Sequence, residues 1–137
     1  MAPVHWYSRR QNCVESSTFS SEFIALKTAV ETIMALRYKL RMFGIPIEGP
    51  ARIFCDNEAV YRNSSDPVST LKKRHQSVAY HLCRESVASG TIIVYKEDGE
   101  TNLADLLTKS THSKERRKFL RERIMVYGKV KSIKKNQ

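Results

Sequence analysis

ARIFCDN, residues 51–57, reads as a short apolar strand that stops at an acid. Ala51–Cys55 follows the Gly49-Pro50 turn, and Asp56 sits just past the strand's end. A second β-rich run, TIIVY at 91–95, has the composition of a strand buried on both sides. The residues between these runs carry helical signals, so the pair is spaced like strands joined through helices. Short apolar strands alternating with helices make an α/β domain whose sheet is covered by helices.

The rest of the chain extends this pattern. Ser16, Ser17 and Thr18 offer helix caps, and Leu26, Val30, Ile33, Leu36, Leu40 and Phe43 recur at three- and four-residue steps. They predict one long helix over Phe19–Phe43 with that stripe buried, closed by Gly44 and Pro46. Upstream, Pro3–Arg9 alternates like a strand, with Trp6 as its core residue. A second helix is expected from near Asn57 to before Pro67, and a Ser/Asp/Pro/Thr loop spans Ser64–Thr70. Leu71, His75, Val78 and Leu82 then set the apolar stripe of a helix ending at Gly90. A short helix is expected from Thr101 or Asn102 through Leu107, and a last amphipathic one carries Phe119, Leu120, Ile124 and Tyr127. The fold class is therefore α/β with a mixed sheet and flanking helices.

Charge divides the chain. Ser110–Gln137 holds ten Lys/Arg against two Glu, a net +8, whereas residues 1–109 carry only +2 of the total +10. A basic end of this kind attracts phosphate backbones or anionic surfaces, and it also fits a solvated helix face. No run approaches the roughly 18 apolar residues of a membrane span, and Met1–Ser8 does not resemble a signal peptide. Cys13, Cys55 and Cys83 are few and far apart, which argues against a disulfide scaffold or a structural zinc site. Cys55, inside the strand, is expected to be a buried apolar residue, and Cys83 and His81 structural ones.

Three carboxylates fall at the ends of elements: Glu22 in the first turn of the long helix, Asp56 after the strand, and Asp105 in the short late helix. Ligands of open α/β sheets gather at strand C-terminal ends. Clustered carboxylates there suit Mg²⁺ or Mn²⁺, and a two-metal site would serve phosphodiester hydrolysis. Each acid also has a plain structural reading: helix-dipole partner for Glu22, Asx turn or helix cap for Asp56, solvated helix residue for Asp105.

The segments HWYSRRQN, SST-x-x-SEF (Ser16–Phe23), the CDN triplet Cys55–Asn57, KKRH with His75 and His81 before Arg84-Glu85, and NLADLLTK (Asn102–Lys109) occur in this order. Together they resemble the ribonuclease H domain of Copia-type retrotransposon polyproteins. The resemblance implies a ribonuclease H-like fold that hydrolyses RNA in an RNA–DNA hybrid. It assigns Glu22, Asp56 and Asp105 to the catalytic metal site and His75 to a supporting role near it. It further implies that HWYSRR corresponds to the family's third strand. The first two strands, with another catalytic aspartate, are then absent, and Glu15 is the only acid before Glu22. Hydrolysis by this chain alone is accordingly expected to be weak or absent. The expected organisation is a partial ribonuclease H-like domain at 1–109 followed by a basic helix and tail at 110–137.

Lys72, Lys73 and Arg74, with Arg116, Arg117, Lys118 and Arg121, are the candidate nucleic-acid contacts. The expected partners are an RNA–DNA hybrid or another nucleic acid, the reverse transcriptase region, or a second copy meeting an exposed sheet edge; no membrane is expected. The expected setting is intracellular, a cytoplasmic retroelement particle or the nucleus. Two further functions stay open: a non-catalytic nucleic-acid-binding module, and a structural or protein-interaction fragment.

Overall fold

A computed structural model describes residues 5–8, 18–68, 77–108 and 113–124. They fall into two compact units: one within 11–102, the other made of the N-terminal residues and the chain from Leu103 onward.

The larger unit is a small α/β domain. Helix α1 (Thr18–Met42) precedes strand β1 (Ala51–Cys55), helices α2 (Glu58–Ser65) and α3 (Ser77–Ala88) follow, and strand β2 (Ile92–Lys96) closes the unit. β1 and β2 pair parallel, Ala51 opposite Ile92 and Cys55 opposite Lys96. A parallel pair needs a crossover connection, which α2 and α3 occupy. Among the described residues these are the only two strands, and no antiparallel pair accompanies them. The expected strand at Pro3–Arg9 is described only over His5–Ser8, which has no strand pairing, and Trp6 is 70% exposed rather than core. Among the described residues, no strand pairs with it to turn its alternation into burial.

Side-chain alternation explains where the core lies. Ile92 and Val94 of β2 are buried, and Ala51, Ile53 and Cys55 of β1 pack against the same cluster. The cluster joins Phe23, Leu26 and Val30 of α1, Val60 of α2, and Ala79, Tyr80 and Cys83 of α3. Phe23 and Tyr80 stack with ring centres 6.2 Å apart. The opposite sheet face, with Arg52, Phe54, Ile93 and Tyr95, is exposed, so TIIVY is covered on one face rather than both.

The stripe of α1 is buried only in its first half. Leu36 is exposed and Phe43 is 79% exposed, against expectation. The cause is length. A 25-residue helix spans about 37 Å, whereas a five-residue strand spans roughly 17 Å and α3 about 18 Å. The far end of α1 overhangs what it packs on. On α3 the buried face is Ala79, Tyr80, Cys83 and Ser86, with Val78 at 73% exposure turned away. Leu71 and His75 of the expected stripe lie outside the described residues, as do Lys72, Lys73 and Arg74. Arg84 ties α3 to the end of α2, donating to Asp66 O at 2.7 Å and Pro67 O at 2.9 Å.

The smaller unit contains helices α4 (Asp105–Thr108) and α5 (Lys114–Ile124). Ser113 starts α5: its Oγ accepts from the Arg116 amide at 3.2 Å, the N-cap geometry that satisfies a free helix amide. Leu120 is fully buried. Ser8 Oγ donates to Leu107 O at 3.2 Å. Among the described residues, no helix is long and apolar enough to cross a membrane.

Candidate metal centre

The CDN triplet divides its work residue by residue. Cys55 ends β1 on the face turned toward the helices. Asp56 makes the bend after it, and Asn57 caps α2, its side-chain oxygen accepting from Ala59 N at 2.9 Å and Val60 N at 3.2 Å. The turn is therefore fixed from both sides, by the strand ladder and by the cap. β2 adds a third restraint. The parallel register sets Lys96 opposite Cys55, and its ammonium donates to Asp56 O at 2.7 Å and Glu97 O at 2.9 Å.

Glu22 reaches the same place from α1. The helix begins at Thr18, so Glu22 lies just beyond its first turn, one residue before buried Phe23. One ligand atom each from Glu22, Cys55 and Asp56 lies within 4.8 Å of the other two, and all three residues are half-buried. These three residues form a surface cluster able in principle to chelate a metal ion.

The donors differ in kind. Two carboxylates are hard oxygen ligands, the set that Mg²⁺ and Mn²⁺ prefer. The Cys55 thiol is soft. Burial pushes its pKa up, and the charges of Asp56 and Glu22 push the same way, while the hydrogen bond at the Asn57 backbone and the Lys96 ammonium pull it down; the net shift is upward. The cluster thus offers a mixed donor set, two hard carboxylates and one soft thiol.

Sequence reasoning grouped Glu22, Asp56 and Asp105 as one site; ligand atoms of Glu22 and Asp56 lie within 4.8 Å of each other, and Cys55 rather than Asp105 is the third residue of the cluster. It treated Cys55 as buried filler, yet Cys55 is half-buried and borders both carboxylates. It did not single out Lys96, whose position depends on a strand register that composition does not reveal. Asp105 belongs to the smaller unit, where it is buried at 4% exposure rather than solvated. Its Oδ2 accepts from Arg116 Nη2 at 2.9 Å. Arg116 is thus an internal ion-pair residue with a 22% exposed side chain, unlike Arg117, Lys118 and Arg121, which are exposed on α5. His81 is exposed, with its ring edge-on to Tyr80 at 5.4 Å, and Cys83 is buried as expected.

No protein-family model and no solved structure matches the chain. The chain is similar to retrovirus-related Pol polyproteins. It is 29% identical over 107 residues to those from the transposons RE2 and RE1 of Arabidopsis thaliana, which covers 78% of this chain and 7% of each relative. It is 29% identical over 106 residues to the one from transposon TNT 1-94 of Nicotiana tabacum, covering 77% of this chain and 8% of that protein. The similarity is distant, and the chain spans less than a tenth of the length of these relatives.

Proposed function

We propose that this chain is a ribonuclease H-like domain of a retroelement polyprotein, built for metal-dependent hydrolysis of RNA in an RNA–DNA hybrid. The observation that carries the reading is the meeting of Glu22 and Asp56 within 4.8 Å at the C-terminal end of a parallel strand. Similarity to Pol polyproteins over most of the chain supports the retroelement context.

Glu22 and Asp56 would hold the divalent ion. Bound there, Mg²⁺ or Mn²⁺ supplies Lewis-acid stabilisation of a phosphodiester and a water of lowered pKa. The chain's own contribution is positioning. The ladder, the Asn57 cap and the Lys96 contact hold Asp56 on a fixed turn, and the packing of Phe23 fixes the helix that carries Glu22. The resemblance adds Asp105 as a further carboxylate and His75 as a supporting group, and the charge pattern adds Lys72, Lys73, Arg74 and the exposed cations of α5 as hybrid contacts. These assignments belong to the proposal.

A second reading, a nucleic-acid-binding module without catalysis, is favoured by one observation. The Asp105 carboxylate already holds a guanidinium at 2.9 Å, where a catalytic acid would face a metal ion. The test is a hybrid labelled on its RNA strand, incubated with the chain in Mg²⁺ and separately in Mn²⁺. Slow cleavage of the RNA strand alone, lost in Asp56→Asn and in EDTA, is the expected result. Hybrid binding with no cleavage in either ion would overturn the enzyme reading in favour of the module.

A further inference from the structure

The cations of α5 are sorted by helical position. Arg116 is turned to Asp105. Arg123 lies over the Phe119 ring, 4.2 Å from its centre. Lys114, Arg117, Lys118 and Arg121 stand at i, i+3, i+4 and i+7, which is one face of a helix. With Leu106 of α4 they line an open pocket of about 420 Å³. Among the described residues, Lys114, Arg117 and Arg121 have no acidic side chain within 4 Å, and Lys118 meets Glu122 only at 4.0 Å between largely exposed groups. Such a contact neutralises little.

We propose that this pocket is a phosphate-tracking groove that takes about three consecutive backbone phosphates of a nucleic-acid strand, with Arg116 excluded from the contact. The inference rests on the nucleic-acid part of the proposed function and not on its chemistry. Lys114 to Arg121 covers roughly 10 Å of helix axis, and a strand of duplex presents one phosphate per about 3.4 Å of axis. The guanidinium groups of Arg117 and Arg121 present forked donors suited to phosphate oxygens. Leu106 gives the groove an apolar wall, and contacts confined to backbone phosphates carry no sequence information. An anionic bilayer fits less well. A membrane-surface helix needs a continuous exposed apolar face, whereas Leu120 is buried and Phe119 is overlaid by Arg123. Asp105 and Arg116 form a lock between α4 and α5 that keeps the wall and the stripe in register.

The test is fluorescence anisotropy of a labelled RNA–DNA hybrid from 50 to 300 mM salt in EDTA, so that hydrolysis does not enter. Removing three phosphate contacts by Arg117→Gln, Lys118→Gln and Arg121→Gln should lower the logarithmic salt slope by about 2.7 and the affinity near 0.1 M salt on the order of 10²-fold. A control triple, Lys39→Gln, Arg41→Gln and Arg52→Gln, removes the same charge from exposed positions of the larger unit and should leave the slope nearly unchanged. Arg117→Lys with Arg121→Lys should keep the slope, which separates lost charge from a disturbed helix. Equal effects of the two glutamine triples, or tighter binding of the unaltered chain to phosphatidylserine vesicles than to hybrid, would overturn the groove. Loss of cleavage alone would leave it standing and count only against the enzyme reading.

Discussion

Asp56→Asn should make the metal-free protein more stable and the metal-loaded protein less stable. Glu22 and Asp56 bring carboxylate oxygens within 4.8 Å of each other. Two unit charges at that separation repel by about 0.9 kcal/mol at water's dielectric constant and ~3.5 kcal/mol at an effective value of 20. Both residues are half-buried, and the Lys96 ammonium beside the Asp56 backbone offsets part of the repulsion. The lower figure applies, so the variant should gain about 1 kcal/mol, roughly 4 °C in melting temperature for a domain of this size. Its amide replaces the carboxylate with little change of shape, and the Lys96 contact, made to the backbone carbonyl, is untouched. A metal at one hundred times its dissociation constant stabilises the folded state by about 2.7 kcal/mol. The unaltered chain should gain that in Mn²⁺ and Asp56→Asn should not. The order of stability then reverses, from the variant ahead by about 1 kcal/mol without metal to the unaltered chain ahead by about 1.7 kcal/mol with it. Paired urea titrations in EDTA and in Mn²⁺ read this directly. Stability curves that shift in parallel, with no reversal, would refute the reasoning.

Phe23, 1% exposed in the core, and Phe43, 79% exposed beyond it, test the overhang of α1. Phe23→Ala should cost about 3–5 kcal/mol and Phe43→Ala should stay within roughly 0.5 kcal/mol by denaturant unfolding; similar losses would mean that the far half of α1 is covered. Burial pushes the Cys83 thiol from its ordinary 9.0 up to about 12. The folded state favours the neutral thiol, so its contribution is fully present below pH 9 and fades as pH rises toward about 12. The stability difference between the unaltered chain and Cys83→Ala should shrink over that window; a constant difference would contradict the burial argument.

Much of the larger unit was legible because its signals are local. The Gly49-Pro50 turn and the apolar run after it define β1, and the observed strand has the expected bounds, Ala51–Cys55. α1 begins and ends within one residue of expectation, since Thr18 and Gly44 punctuate it. What failed was burial. Periodicity says which residues of a helix share a face, but whether the face is covered depends on the length of its neighbours, so Leu36 and Phe43 were misread. The same limit applies to TIIVY, where composition suggested two covered faces and Ile93 and Tyr95 are exposed. At the site, the resemblance grouped Glu22 and Asp56 with Asp105, and the positions of the first two at element ends were visible in sequence. The roles of Cys55 and Lys96 were not, because they follow from which strand lies beside which and in what register. The Asp105–Arg116 pair was hidden within a run of cations whose individual directions only the helix geometry separates.

The most direct test of the account is a Mn²⁺ titration followed by the electron paramagnetic resonance signal of the free ion. The unaltered chain is predicted to show saturable binding that is lost in both Glu22→Gln and Asp56→Asn and kept in Cys55→Ser. Binding that survives in both carboxylate variants, or that disappears in Cys55→Ser, would contradict the assignment of a hard-metal centre to these two acids.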